Sequence, residues 1–316
     1  MTLKKIGIIG LGSIGRRHAR MLKQLGVDEI RALRTKKGVL KAKPDEFIEL
    51  QEFTDEKEFY SGLDGVIISN PTSLHVETAL TAAQKGLPVF IEKPISDTIA
   101  KAKPLEKYQS QIIVGYCFRF SGFVNFIKQF IASGNIGRVY KATFVRSYYL
   151  PKWHPYADYR KEYTARKDLG GGVLRTLSHE IDLMLYLFGY PISTIGYTDK
   201  VSDLEIDTDD LAFFSCKMKG GARVNFELDF LSPDYVNKGT IIGQKGKLEY
   251  DMDQIQFIPM EGESTVVYEF KKNEIDEMYL NQMKDFIRFI NTENSQNCNY
   301  EDAIETMRII DELDKI

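Results

Sequence analysis

The stretch Ile6-Gly7-Ile8-Ile9-Gly10-Leu11-Gly12-Ser13-Ile14-Gly15-Arg16 decides how the first third of this chain folds. A short apolar strand, Ile6–Ile9, runs into a glycine. Three glycines follow in the spacing G-x-G-x-x-G, and helical patterning opens at Arg16 and continues to Leu25. Each glycine has its own physical task. Gly10 allows the tight turn, Gly12 lets the backbone approach a pyrophosphate, and Gly15 lets helix and strand pack closely. Ser13 and Ile14 complete the turn. The unpaired N–H groups of the helix start favour an anion there. The competing reading is a glycine turn that binds nothing.

Outward from this turn the chain alternates strands and helices. Strands are expected at Glu29–Leu33, Gly65–Ser69, Pro88–Ile91 and Ile112–Tyr116, with helices over Ser73–Lys85 and, interrupted by Pro104, over Asp97–Gln109. Short, continuously apolar strands separated by helices indicate a parallel sheet covered on both faces, the doubly wound Rossmann architecture of the α/β class. Past residue 120 the pattern changes. A helix over Gly122–Ala132 is followed by strands at Val139–Tyr149, Leu211–Met218, Arg223–Phe230, Gly239–Ile242, Lys247–Asp251 and Thr265–Phe270. In Arg223–Phe230, Val224, Phe226, Leu228 and Phe230 share one face, as in a half-solvated antiparallel strand, with Lys219–Ala222 as the hairpin turn before it. Two helices close the chain, the last with a stripe of Ala303, Met307, Ile310 and Leu313. The expected organisation is a dinucleotide-binding unit over 1–120. An α+β unit over 121–316 follows, with an open, mainly antiparallel sheet that supplies substrate contacts and an oligomer interface. The closing helices are free to return to the first unit.

At 316 residues the chain is longer than one hydrophobic core usually serves. A net charge of −3 gives no reason to expect nucleic acid or an anionic membrane as partner. No apolar run reaches the ~18–20 residues that span a bilayer, and the start runs directly into a strand, so no signal peptide is expected. Cys117, Cys216 and Cys298 lie far apart, without metal-ligand spacing, and fit free thiols in a reducing cytoplasm. No metal site is expected.

The second strand ends at Leu33-Arg34-Thr35-Lys36-Lys37. An acid about 20 residues past the glycine turn normally binds the adenine ribose of NAD. Here Arg34 and Thr35 offer a basic, hydroxyl-bearing tip that suits a 2′-phosphate, which favours NADP over NAD. The alternative is a pair of solvated loop charges, Arg34 and Lys36.

The strongest local signal is Phe90-Ile-Glu92-Lys93-Pro94, at the carboxyl end of an expected core strand, where an open α/β sheet presents its crevice. With it the sequence resembles the glucose–fructose oxidoreductase / inositol dehydrogenase / MocA (Gfo/Idh/MocA) family. The resemblance rests on the glycine turn, Ser69-Asn70-Pro71-Thr-Ser-Leu-His75, the Glu92-Lys93-Pro94 triplet and Gly170-Gly-Gly-Val-Leu-Arg-Thr-Leu-Ser-His179-Glu-Ile-Asp182. Weaker matches are Gly115-Tyr-Cys-Phe-Arg119-Phe and Gly134-Asn-Ile-Gly137. Together they cover roughly residues 5–185 in family order.

The resemblance implies an NAD(P)-dependent dehydrogenase of sugars or cyclitols, in which Asn70, Pro71, His75, Glu92 and Lys93 line the cofactor and Lys93 and His179 form the catalytic pair. The chemistry agrees. Oxidising a secondary alcohol needs a base for the hydroxyl proton, and histidine ionises near working pH, while a lysine stabilises the developing alkoxide. A satisfied interior histidine and a structural lysine are the alternatives. Where many family members carry Asp, one helical turn before the histidine, this chain has Arg175. Two readings follow: Asp182, at i+3, replaces that carboxylate, or Arg175 holds an anionic part of the substrate. Arg119, and Trp153 and Arg166 from the aromatic–basic run 153–167, complete the expected substrate contacts; a loop packed at a subunit contact is the alternative for that run. A homodimer or homotetramer is expected from the second sheet's open face. A non-catalytic NAD(P)-binding sensor and a reductase of a non-sugar substrate are the competing functions.

Overall fold

The computed structural model describes residues 4–34, 50–295 and 297–315. The first six strands all belong to the first sheet: β1 (Lys5–Ile9), β2 (Glu29–Leu33), β3 (Gln51–Phe53), β4 (Gly65–Ile68), β5 (Val89–Ile91) and β6 (Ile112–Val114). The helices between them include α1 (Ser13–Gln24), α2 (Glu56–Tyr60), α3 (His75–Ala83) and α4 (Ile99–Ala102). After α5 (Gly122–Ala132) come β7 (Val139–Ser147), α6 (Leu150–Trp153), α7 (Val173–Thr176), α8 (His179–Phe188) and β8 (Pro191–Asp199). The remaining strands of the second sheet are β9 (Leu211–Met218), β10 (Arg223–Asp229), β11 (Val236–Gly243), β12 (Gly246–Tyr250), β13 (Gln254–Pro259) and β14 (Thr265–Glu269). The chain closes with α9 (Glu274–Ile290), β15 (Cys298–Asn299) and α10 (Tyr300–Leu313).

Among the described residues the first sheet has the order β15-β6-β5-β4-β1-β2-β3, with β1 to β6 parallel. The direction of winding reverses between β1 and β4, which opens a crevice beyond their carboxyl ends. The sheet is buried on both faces. Ile6, Ile8, Ile67 and Phe90 pack with Ala19 and Leu22 of α1 and with Met283 and Phe286 of α9. Val66, Ile68, Val89 and Ile91 join the larger core with Val76 and Ala79 of α3 and Met307 and Ile310 of α10. The end of the chain therefore returns to the first sheet, and β15 adds an antiparallel edge to β6.

The second sheet runs β14-β13-β12-β11-β7-β10-β9-β8. It is antiparallel except between β7 and β10, which pair in parallel, a departure that the patterning of either strand alone cannot reveal. The expected alternation in β10 is present, with Val224, Phe226, Leu228 and Phe230 all buried. The helix expected over Asp97–Gln109 is instead the short α4 followed by a 3₁₀ segment, Lys103–Gln111, because Pro104 supplies no backbone donor. Strands β3, β8, β13 and β15 were not expected. The first is short and partly exposed, and β8 is an edge strand without a clean buried face. No helix among the described residues is long and apolar enough to cross a membrane.

Candidate active site

The glycine turn lies at the end of β1, at the mouth of the crevice. Gly10 has φ +100°, and a side chain there would run into the backbone of Ser69 and Asn70 after β4. A Cβ on Gly15 would strike the Gly10 carbonyl, and Ser69 Oγ donates to that same oxygen at 2.7 Å. Gly12 differs, since a Cβ on it would meet nothing within 4 Å. Gly10 and Gly15 are thus required by the fold, whereas the space at Gly12 is open toward the crevice. Gly12 also caps α1 without a side-chain hydrogen bond, so the first-turn N–H groups around Ser13 and Ile14 are not occupied by a cap. An anionic pyrophosphate fits this cradle.

At the far end of the crevice Arg34 pairs with Glu52 of β3 at 3.2 Å, both side chains partly exposed. An acid therefore does stand at this edge, contributed by a neighbouring strand rather than by the end of β2. Thr35 lies outside the described residues.

After β4, Asn70 Nδ2 donates to Thr78 Oγ1 at 2.9 Å, and Pro71 precedes the 3₁₀ turn leading to α3. His75 is buried with one ring nitrogen 2.8 Å from the Pro94 carbonyl oxygen and the other 2.9 Å from that of Asn70. Its ring ties the loop after β4 to the loop after β5, and burial holds it below the ordinary histidine pKa. Glu92 is buried against His18 of α1 at 2.6 Å and accepts from the Lys93 amide at 3.2 Å. Thus the acid beside Lys93 is anchored to the helix that begins at the glycine turn.

Lys93 and His179 come together. Lys93 Nζ donates to the Thr176 carbonyl oxygen at 2.5 Å, in the turn three residues before His179. That turn is held by the triple glycine. A side chain on Gly171 would strike the Tyr163 carbonyl, and one on Gly172, whose φ is +108°, would strike the Asp209 carboxylate. Burial lowers the Lys93 pKa, the Glu92 charge opposes this, and Arg146 adds to it. His179 is held well below the ordinary histidine value, first by burial and then by the charges of Lys93 and Arg146. Burial and these two charges therefore favour the neutral imidazole over the imidazolium. Phe118 stacks on the ring at 4.7 Å, and Tyr116 meets it edge-on at 5.7 Å.

Sequence reading missed the other polar members of this site. Arg146 of β7 donates to Glu180 at 2.7 Å and to Tyr235 Oη at 2.8 Å. Glu162 pairs with His154 at 2.5 Å, and Tyr148 carries Trp153 stacked at 4.5 Å. Arg146 Nε, Tyr148 Oη, Glu162 Oε1, Thr176 Oγ1, His179 Nδ1 and Glu180 Oε2 are buried without a hydrogen-bond partner among the described residues. A signal for Arg146 did exist. It is a charged residue in a strand flanked by Val145 and Ser147, at a position whose partner could not be known in advance.

Several expected substrate contacts point elsewhere. Arg119 is buried, with all three guanidinium nitrogens bound: Nε and Nη2 to Asp182, at 2.6–3.2 Å, and Nη1 to Asp302 at 2.9 Å. Asp182 is therefore spent on Arg119 and does not orient His179. Arg175 donates from Nε to the Asp97 carbonyl at 3.0 Å and from its terminal nitrogens to Asp314 beyond α10. These contacts secure α7 to the chain's end. Arg166 pairs with exposed Asp168 and lines a separate surface hollow of about 480 Å³ with Arg160, Lys161 and Lys200. Trp153 does sit by the site, stacked on Tyr148 and, at 6.1 Å, on Tyr235, with 44% of its surface exposed.

Residues 4–111 match the model of an oxidoreductase family with an NAD-binding Rossmann fold, and residues 124–249 match the GFO/IDH/MocA C-terminal domain. Glucose-6-phosphate 3-dehydrogenase of Bacillus subtilis (strain 168) is 27% identical over 71% of this chain and 67% of its own length. Inositol 2-dehydrogenase of Salmonella typhimurium is 28% identical over 62% of this chain and 57% of its own length, so the alignment spans little more than half of that relative. Among solved structures, the WlbA dehydrogenase from Bordetella pertussis in complex with NADH and UDP-GlcNAcA superposes with a TM-score of 0.79. It is 18% identical, over 99% of this chain and 95% of that one.

Proposed function

The chain belongs to the Gfo/Idh/MocA family of NAD-binding oxidoreductases, and from that premise we propose that it is an NAD(P)-dependent dehydrogenase or reductase. The reacting group is a secondary alcohol or ketone carbon of a sugar, a cyclitol or a nucleotide-linked sugar, acidic sugars included. The observation that carries this reading is the Lys93–Thr176 hydrogen bond, which brings the lysine after β5 to the turn that starts the His179 helix. A bound nicotinamide supplies the acceptor or donor of hydride. The residues of this chain do the rest. Neutral His179 takes the hydroxyl proton, and Lys93 stabilises the negative charge that grows on that oxygen. The unpartnered donors and acceptors around them suit a ligand that carries several hydroxyls. The relatives named for glucose 6-phosphate and inositol support the same substrate class.

The preferred cofactor in this proposal is NADP, on the ground that Arg34 can exchange Glu52 for a 2′-phosphate. A cytoplasmic location is supported by three buried, unpaired cysteines. A homo-oligomer is supported by the outer face of the second sheet, where Ile195 is 69% exposed and Tyr197 stacks on exposed Phe213. Light scattering that finds only a 36.2 kDa particle removes that assembly.

The main reading is tested by screening free sugars, sugar phosphates, cyclitols and nucleotide sugars for reduction of NADP and NAD. Turnover on a member of these classes is expected. Cofactor binding without turnover on any of them, together with turnover of a non-sugar alcohol, overturns it.

A further inference from the structure

A histidine that works as a base must be held in one orientation, and the usual device is a hydrogen bond from its second ring nitrogen to a carboxylate or carbonyl. His179 has no such bond. Its Nδ1 is buried without a partner among the described residues, and Nε2 faces only Cys117 Sγ, at 4.0 Å. The thiol is pushed up to about 12 by burial, so it remains S–H and supplies no charge. The ring is instead walled by carbon. Phe118 stacks on it with the planes 21° apart, and Tyr116 closes one side edge-on.

Phe118 is itself fixed. The Arg146 guanidinium lies over the Phe118 ring, 5.1 Å from its centroid, and over Tyr235 at 5.7 Å. Arg146 is locked in turn by Glu180, the residue after His179. The circuit closes: His179 ring, Phe118 ring, Arg146 guanidinium, Glu180 carboxylate, and back along the helix to His179. We propose that Phe118 and Arg146 are positioning residues for His179, orienting its ring by stacking in place of a hydrogen-bonded carboxylate. This rests on the reading of His179 as the base.

The arrangement has an electrostatic consequence. The charges that act on the His179 ring are Lys93, from the loop after β5, and Arg146, from β7; Tyr116 and Cys117 after β6 lie against it, and Glu180 is its neighbour on its own helix. The carboxylate of Glu180 is turned to Arg146, so the ring sees two cations and no carboxylate of its own. A cation disfavours the imidazolium, and the base stays unprotonated further into acid.

The test uses histidine-selective NMR on the cofactor-loaded full chain. It has four histidines, and His179→Asn identifies the signal of interest. In the wild type His179 is expected to remain neutral as pH falls well past the ordinary histidine range. Arg146→Gln combined with Glu180→Gln removes the pair without leaving a lone buried charge, and is expected to move the His179 titration and the acid limb of kcat upward together. Arg146→Lys keeps the charge and loses the flat guanidinium; it should leave the titration low and reduce kcat. Phe118→Leu should reduce kcat more than it raises KM, and Phe118→Tyr should restore it. An unchanged His179 titration in the double variant, or full kcat in both Phe118→Leu and Arg146→Lys, overturns the proposal. Full turnover by His179→Asn would overturn the base assignment instead, and the titrations would still decide what surrounds the ring.

Discussion

Lys93 Nζ donates to the carbonyl oxygen of Thr176 across 83 positions of the chain. The lysine leaves the first sheet at β5, and the carbonyl ends α7, with two residues between it and α8, beside the second sheet. The hydrogen bond is formed only when the two sheets pack, so the site depends on the assembly of both. Gly170 permits the approach, because a side chain there, at φ +78°, would strike Thr72 and Asp97 of the first unit, while Gly171 and Gly172 have no room for one against Tyr163 and Asp209.

Gly12 and Gly15 of the turn should separate by effect. Gly12→Val meets open space and should leave the melting temperature unchanged while weakening cofactor binding by about tenfold or more, ~1.4 kcal/mol. Gly15→Ala strikes the Gly10 carbonyl and should cost about 1–3 kcal/mol of stability. Thermal melts and fluorescence titration with cofactor check both. Unchanged affinity in Gly12→Val would place the pyrophosphate elsewhere.

His179→Asn should reduce turnover by about 10²–10⁴-fold while cofactor binding survives, as loss of a general base does. Lys93→Met should be at least as damaging, since it removes both the charge and the tie to Thr176. Cofactor titration alongside steady-state rates separates loss of chemistry from loss of binding. A fully active His179→Asn would mean that another group takes the proton.

Arg175→Ala should act on stability and not on substrate affinity. Its guanidinium is committed to Asp314 and the Asp97 carbonyl, and losing these charge-assisted bonds should cost about 1–3 kcal/mol. Asp314→Ala should lower the melting temperature similarly, and the double variant should show little further loss. A raised KM at an unchanged melting temperature would instead return Arg175 to the substrate.

Cofactor choice should turn on Arg34 and Glu52. Glu52→Gln frees the guanidinium and should strengthen NADP binding relative to NAD, whereas Arg34→Ala should abolish any preference for NADP. Dissociation constants for both cofactors, measured by fluorescence, decide this. Tighter binding of NAD by the wild type would remove the NADP proposal.

The strand–glycine–helix turn was readable because its determinants are contiguous. A buried strand, a positive-φ glycine at residue 10, an uncapped helix start and a glycine at helix–strand contact are local requirements, and each leaves its mark on neighbouring residues. The same holds for α5, β2 and β9, whose bounds fall where the patterning puts them. The substrate side was read less well. Arg119, Asp182 and Arg175 are charged residues within or beside a motif, and motif proximity says nothing about the direction of a side chain. Their partners, Asp302 and Asp314, come from α10 and the residues after it, far along the chain.

By itself the sequence determined the two sheets and the strand–glycine–helix turn, and its resemblance to the family singled out Lys93 and His179, because strand period, turn stereochemistry and motif spacing are all properties of short segments. Only the tertiary structure decided what surrounds His179. Phe118 follows β6, Arg146 lies on β7 and Tyr235 precedes β11, and their meeting depends on the antiparallel pairing of β7 with β11 and on the Arg146–Glu180 contact that joins β7 to α8. An alternating strand shows which residues share a face. It does not show which ring or carboxylate will lie across from them, since that contact is set by burying two distant surfaces together.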